Sequence, residues 1–155
     1  MKFFKSLYIH KNLYRYIALA SLLFLLSYWF SVIYAVAWIV TTAIAVLMLL
    51  DLWMLYSGKE AFEANRSLAN KLSNSDNNPV PVHLVNNYNF KVDVEILDEL
   101  PFQFQKRDFL YSVTLNPKAM HDFEYLVRPV ERGEYYFGNL NIYCSSPLKI
   151  IKRKF

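Results

Sequence analysis

Histidine and cysteine are the residue types that most often bind metals or act as nucleophiles, and this chain holds three His and one Cys. His10, His83 and His121 are far apart in the sequence, and none has a His or Cys partner at the spacing of a metal site. Cys144 falls in the apolar row of an alternating segment, which favours a place in the core over a nucleophile. We therefore expect no metal and no cofactor.

Two neighbouring carboxylates, Asp98 and Glu99, precede Pro101. Paired carboxylates can act as general acid and base, but most such pairs are solvated turn residues. The chain has only three Gly, so it has no Gly-rich loop that could hold a phosphate. The sequence therefore predicts no catalytic residue and no small-molecule substrate, and we expect a protein that is not an enzyme.

The basic residues are concentrated at the two ends of the chain. Residues 1–15 carry four basic side chains, residues 16–50 carry no charge, and the last seven residues carry four more basic side chains. The sequence pI near 9.1 therefore comes from the ends. Binding to nucleic acid would need basic residues clustered on one folded face. Because the region between the ends is slightly acidic, we expect no nucleic-acid partner.

The uncharged run from residue 16 to residue 50 also lacks Pro and Gly. A single helix of this length would extend over about 52 Å, whereas the hydrocarbon core of a bilayer is about 30 Å thick. The run therefore predicts two transmembrane helices, Leu13–Phe30 and Val32–Leu52. The break is placed around Tyr28–Ser31, where aromatic residues and Ser interrupt the run.

Two alternatives to this hairpin exist. A secretory signal peptide would have an apolar region of about 7–15 residues that ends at small residues, and this run is much longer. One long tilted span would place the rest of the chain on the opposite side of the membrane. The basic residues before the first span favour a cytoplasmic N-terminus, and two spans return the chain to the cytoplasm.

Three residues are predicted to lie at the membrane interface. Asp51 is expected to reach lipid headgroups or to pair with Arg15, and Trp53 marks the point where the chain leaves the bilayer. Residues 1–12 form a basic amphipathic flank. This flank is either a short helix on an anionic leaflet or a frayed segment that only sets orientation. The hairpin region is then 13–57.

After Gly58, apolar residues alternate with polar residues, which is typical of strands with one buried face. Turn-forming residues separate the alternating segments. About seven strands are predicted, near residues 60–72, 79–86, 90–98, 107–115, 121–130, 134–144 and 148–154. Residues 58–155 are therefore expected to form an all-β, immunoglobulin-like antiparallel sandwich.

Short motifs within this β region have the forms D-x-x-P, R-G-x-Y-x-F-G and S-P-L. Together with an upstream Arg and the two spans, they resemble the N-terminal half of the bacterial membrane family called "domain of unknown function fifty-eight", from about residue 12 to the end. The residues that carry the resemblance are Arg66, Asp98, Pro101, Arg107, Arg132, Gly133, Tyr135, Phe137, Gly138, Ser146 and Pro147.

This resemblance implies a two-pass protein of the bacterial cytoplasmic (inner) membrane, with both ends and the β domain in the cytoplasm. It implies a MoxR-type AAA+ ATPase as a partner and a following von Willebrand factor A-like domain. The D-x-S-x-S metal signature of that domain is absent from the sequence. We therefore expect a fragment or a truncated form without the C-terminal domain.

The residues of the R-G-x-Y-x-F-G motif are interpreted as structural. Gly133 is expected to allow a tight turn, and Gly138 to relieve crowding at a bulge or allow a close backbone approach. Tyr135 and Phe137 are expected to enter the core, and Arg132 to pair with Asp98 or Glu131.

The sequence thus predicts a membrane-anchored, non-enzymatic protein whose β-sandwich binds other proteins or serves in assembly. Its expected partners are the lipid bilayer and the ATPase that the resemblance implies. One alternative is an accessory part of a larger enzyme, or of a metal-dependent adhesion protein, whose active residues lie in the missing region. Another is a purely structural subunit whose hairpin packs against other membrane proteins.

Overall fold

The computed structural model of the chain describes residues 2–58, 61–104 and 109–155. The helices are α1 (Lys2–Ser6), α2 (Lys11–Leu26) and α3 (Ser31–Tyr56), and a short 3-10 turn covers Phe102–Phe104. The strands are β1 (Leu7–Ile9), β2 (Phe62–Arg66), β3 (Asn78–Asn86), β4 (Val92–Asp98), β5 (Phe109–Leu115), β6 (Met120–Val127), β7 (Leu140–Ser145) and β8 (Ile151–Lys154).

The chain divides into two units. Unit 1 comprises Met1–Lys59 and Ser145–Lys154, and unit 2 comprises Glu60–Cys144 and Phe155. The predicted boundary between hairpin and β domain, at 57 and 58, lies next to the observed division. Residues 145–154, predicted to belong to the β domain, instead group with the helices.

Within unit 1, α2 and α3 form a helical hairpin that turns at residues 27–30, close to the predicted break. Phe24 packs edge-on against Tyr34 and Trp38, with ring centroids 6.3 and 5.8 Å apart. The small residues Ala20 and Ala37 are buried, and small side chains allow helices to approach closely. Most other side chains of the two helices are exposed.

The helix lengths differ from the prediction. α2 has 16 residues and ends at Leu26, so it is about 24 Å long, whereas α3 has 26 residues and continues one turn beyond the predicted Leu52 to Tyr56. In the described part of the chain, α3 is the one helix that is long and apolar enough to cross a membrane.

The N-terminal flank is not one amphipathic helix. After the single turn of α1, residues Leu7–Ile9 form β1, which pairs antiparallel with β8 so that Tyr8 faces Lys152. The backbone N–H of His10 continues this ladder by donating to the carbonyl of Ile150 at 3.0 Å. The hydrogen bonds to β8 therefore hold residues 7–10 in an extended conformation, and the flank is not the single helix that was one of the two alternatives.

The strands of the described residues form two antiparallel sheets, and unit 2 has strands in both. One sheet has the order β2–β3–β6, and the strands β7, β4 and β5 are neighbours in the other. The period-two pattern predicts the buried side chains well, since alternate residues of the central strands are buried. They are Val80, Val82 and Leu84 in β3, Val92, Val94 and Ile96 in β4, and Ile142 and Cys144 in β7.

The described residues contain eight strands where about seven were expected, because β1 was not predicted. The first strand of unit 2 covers only Phe62–Arg66 instead of 60–72. The strand predicted over 134–144 begins at Leu140, so the R-G-x-Y-x-F-G motif lies in an irregular segment. Its alternating aromatic residues, Tyr135 and Phe137, both contact the ring of Phe104 and are not part of a strand.

The β1–β8 register can be tested by disulfide cross-linking. Opposed residues of an antiparallel pair have Cα atoms about 4.5–5.5 Å apart, which suits a disulfide. In a Cys144→Ser background, we expect oxidation to cross-link Tyr8→Cys with Lys152→Cys. The one-residue offset pair Tyr8→Cys with Arg153→Cys points to opposite faces and should cross-link poorly. Equal cross-linking of both pairs, detected by non-reducing gel shift after proteolysis, would contradict the register.

Candidate functional site

The most deeply buried charge of unit 1 is Asp51, near the C-terminal end of α3, whose side chain is fully buried. Its carboxylate accepts a hydrogen bond from the Ser146 hydroxyl. It also accepts the backbone N–H groups of Ile150 and Ile151, at 3.0 and 2.9 Å. Hydrogen bonds to an ionised acceptor are the stronger kind and offset the cost of burying the charge. Asp51 therefore fastens residues 146–151 to α3.

A second contact runs in the opposite direction. Arg153 of β8 donates to the carbonyl oxygens of Leu55 at 2.5 Å and Gly58 at 3.1 Å, and its guanidinium lies 4.8 Å from the ring centroid of Tyr56. The last carbonyls of a helix lack partners within the helix and attract cations. Arg153 thus caps the C-terminal end of α3. The two contacts are reciprocal, because α3 supplies the carboxylate of Asp51 and β8 supplies the guanidinium of Arg153. We call these two contacts the Asp51–Arg153 clasp.

The S-P-L motif forms the turn of this clasp. The Ser146 hydroxyl, besides its bond to Asp51, accepts the backbone N–H of Leu148 at 3.0 Å. Pro147 is exposed in the same turn, and Lys149 has a φ of 53°, in the left-handed region. The motif therefore shapes the backbone so that the N–H groups after it point at one carboxylate.

The clasp corrects the predicted roles of two interface residues. Asp51 does not reach lipid headgroups and does not pair with Arg15, because its hydrogen bonds go to residues 146–151. Arg15 is exposed and lies 3.5 Å from the side-chain oxygen of Asn12. Trp53 is exposed on α3.

In unit 2, side chains from three strands and one loop carbonyl meet at a buried ion pair. Asp98, the last residue of β4, is 1% exposed, and its carboxylate accepts hydrogen bonds from the Arg66 guanidinium and, at 2.5 Å, from the Tyr125 hydroxyl. Arg66 also donates to the carbonyl of Gly138 at 3.0 Å. Burial, followed by the hydrogen bond to Asp98, raises the pKa of Tyr125, so its hydroxyl stays protonated as a donor. The sequence predicted that Arg132 pairs with Asp98 or Glu131, but the partner of Asp98 is Arg66.

The loop of residues 129–138 is built onto this ion pair. The Arg66 guanidinium lies 5.0 Å from the ring centroid of Phe137. The ring of Tyr135 stacks on Phe104 at 4.9 Å, and Phe137 also contacts that ring at 5.9 Å. Tyr135 and Phe137 are partly exposed, so they pack beneath the loop and are not fully buried in the core.

Two glycines suit this loop for different reasons. Gly133 has a φ of 154°, a conformation that residues with a side chain rarely adopt, and it has open space around it. Gly138 approaches Glu99 so closely that an added Cβ would lie 2.7 Å from the Glu99 Cβ. The Glu99 carboxylate in turn accepts the N–H of Asn139 at 3.0 Å and the side-chain amide of Asn141 at 2.7 Å. Glu99 is therefore a loop anchor.

An open groove of about 580 Å³ lies between this loop and residues 68–74. Arg132 and Tyr136 are exposed and line it, together with the cation of Lys71. The Tyr136 hydroxyl donates to the Glu134 carboxylate, and this hydrogen bond raises the pKa of Tyr136. The groove thus offers an aromatic surface and both signs of charge, which suits a polypeptide segment.

The remaining motif residues have simpler positions. Pro101 is buried, and its carbonyl accepts the N–H of Phe104 to start the 3-10 turn. Arg107 lies outside the described residues. The sequence does not predict the partners of Asp98, because Arg66, Asp98 and Tyr125 lie on three different strands that only the fold brings together.

The His and Cys side chains do not come together in one site. His83 pairs with Asp122 at 2.8 Å, His121 contacts the Tyr111 hydroxyl at 3.0 Å, and Cys144 is buried. Within residues 2–58, 61–104 and 109–155, no group of three His, Cys, Asp or Glu side chains could hold a metal ion.

Comparison with known proteins adds no assignment. No protein-family model matches the chain, and no curated protein sequence matches it significantly.

The clasp predicts that Asp51→Asn destabilises unit 1. The amide keeps the shape but loses the charge and brings N–H groups to a site that needs acceptors, so we expect a loss of about 2–3 kcal/mol in unfolding free energy. The amides of Ile150 and Ile151 should then exchange faster in hydrogen–deuterium exchange of the full chain in detergent. Asp76→Asn, at an exposed carboxylate, is the matched control. Unchanged exchange at these amides would contradict the clasp.

The ion pair predicts a pH-dependent effect of Tyr125→Phe. Because the folded-state pKa of Tyr125 is raised, its contribution is complete below the ordinary pKa of about 10 and is lost as the pH rises above it. At pH 7 we expect the variant to lose about 1.5–3 kcal/mol in unfolding free energy. The gap between wild type and variant in denaturant titrations should narrow above pH about 10. The exposed Tyr28→Phe serves as the control, and a gap independent of pH would count against this role.

Proposed function

We propose that the chain is a membrane-anchored, non-enzymatic protein whose unit 2 is a protein-interaction module. The membrane anchor is supported by the surface of α3, where large apolar side chains such as Val32, Ile39 and Leu49 are 77%, 68% and 65% exposed. A helix that is apolar on all sides is stable only inside lipid or protein. The non-enzymatic role is supported by side chains such as His83 and Asp98, which form structural contacts at separate places in unit 2.

The hairpin is proposed to cross the membrane twice. α3 is about 39 Å long, and exposed aromatic residues lie at both of its ends, Trp29 and Phe30 before it and Trp53 in its last turns. Such rings favour the two interfaces of a bilayer. α2 is short for a span at about 24 Å, and Arg15 would reach the interface with its long side chain. Both ends then face the cytoplasm of a bacterial cell, at its inner membrane.

The interaction module is proposed to be an immunoglobulin-like sandwich, and its binding site the groove between residues 68–74 and 129–137. Binding residues often lie on loops that a rigid framework positions. Here the framework is the buried Arg66–Asp98 pair, which fastens the loop through Phe137 and Gly138. The resemblance to the "domain of unknown function fifty-eight" family suggests a MoxR-type AAA+ ATPase as the partner.

The topology is tested by cysteine labelling of the full chain in a Cys144→Ser background. Lys5→Cys and Ser73→Cys should react with an impermeant reagent only from the cytoplasmic side, and Trp29→Cys only from the opposite side. A single span would instead make Lys5→Cys and Ser73→Cys react from opposite sides.

The groove is tested with purified MoxR-type ATPase and the full chain in detergent. Exposed aromatic and Arg residues dominate many interfaces, so we expect Arg132→Ala with Tyr136→Ala to weaken binding at least about tenfold. The matched control is Met120→Ala, which removes an exposed apolar side chain of β6 outside the groove. Equal weakening by both variants would argue against the groove, and absence of binding by the wild type would argue against this partner.

A further inference from the structure

One face of α2 changes abruptly from apolar to basic. Residues 11, 15, 19, 22 and 26 follow helical spacing and share a face. Leu19, Leu22 and Leu26 are 52%, 51% and 38% exposed along it, and Lys11 and Arg15 are exposed on its first two turns. The stripe therefore begins with two cations about 6 Å apart along the axis and continues as an apolar surface.

The basic pair is held in place. α2 begins at the N-cap His10, whose ring nitrogen accepts the N–H of Asn12 at 3.1 Å and whose own N–H joins the β1–β8 ladder. Leu13, between the two cations, is buried. The first turn of α2 is therefore fixed to the rest of unit 1, and Lys11 and Arg15 project from a rigid base.

Unit 1 offers these cations no carboxylate. Asp51 is the one acidic residue in its sequence, and that carboxylate is fully buried in the Asp51–Arg153 clasp. Neither Lys11 nor Arg15 forms an ion pair within the described ranges of the chain. Beside them Tyr14 is 61% exposed, and tyrosine favours the depth of lipid headgroups.

We propose that Lys11 and Arg15 bind the phosphate of an anionic phospholipid headgroup, whose acyl chains lie along Leu19, Leu22 and Leu26. This inference rests on the proposed membrane anchor and adds a lipid class to it. An anionic lipid complements both cations, whereas a zwitterionic lipid brings a cation of its own. Basic side chains near a membrane surface attract anionic lipids, and salt weakens that attraction.

The test measures how spin-labelled phosphatidylglycerol and phosphatidylcholine associate with the full chain reconstituted in phosphatidylcholine bilayers. The wild type should prefer phosphatidylglycerol, and added salt should weaken the preference. Lys11→Gln with Arg15→Gln should bring the ratio of the two association constants to about one. The swap Lys11→Arg with Arg15→Lys keeps both charges and should keep the preference. Lys91→Gln with Lys118→Gln makes the same charge change in unit 2, outside the groove, and should leave the preference intact.

Equal association of the two lipids with the wild type, or a preference that survives the Gln substitutions, would overturn the lipid site. Failure of the proposed transmembrane hairpin is measured separately. If alkaline carbonate extracts the chain from membranes, the chain does not span the bilayer. Salt-sensitive sedimentation of that chain with phosphatidylglycerol vesicles, lost in the Gln variant, would then still support the basic pair. No sedimentation of the wild type would overturn both.

Discussion

A carboxylate that leaves water must find hydrogen-bond donors, and the burial of Asp51 sets this requirement for unit 1. The donors come from residues 146–151, about a hundred positions later in the chain. They can converge only because the S-P-L turn points successive N–H groups the same way. Arg153 then satisfies the carbonyls at the end of α3. Residues 145–154 are therefore part of the helical unit.

Unit 2 depends on the same physics at Asp98. Its carboxylate is buried against Arg66 and the Tyr125 hydroxyl, and breaking such a pair would leave an uncompensated charge. The loop of residues 129–138 takes its position from this pair, through Gly138 and Phe137. A groove formed by loops thus acquires a defined shape without any strand along it. This separation of framework and exposed surface is typical of binding modules.

The distribution of charge separates the two units. All acidic residues except Asp51 lie in the sequence of unit 2, whereas unit 1 combines exposed apolar helices with basic side chains. The basic side chains of unit 1 would be attracted to an anionic membrane surface. The slightly acidic unit 2 would be repelled by the same surface. The proposed anchor and the proposed interaction module therefore have opposite electrostatic preferences.

The sequence by itself determined the elements in which a regular pattern of apolar residues reflects burial. The alternation of apolar and polar residues predicted the central strands of unit 2, and the uncharged apolar run with its aromatic interruption predicted the helical hairpin and its turn. It could not determine β1, because three residues pair with β8 only when the fold brings that strand to them. It also misled at residues 132–138, where alternation reflects ring stacking. The partners of Asp51 and Asp98 were decided by tertiary structure alone, because a buried charge specifies a need for donors and not which distant residues supply them.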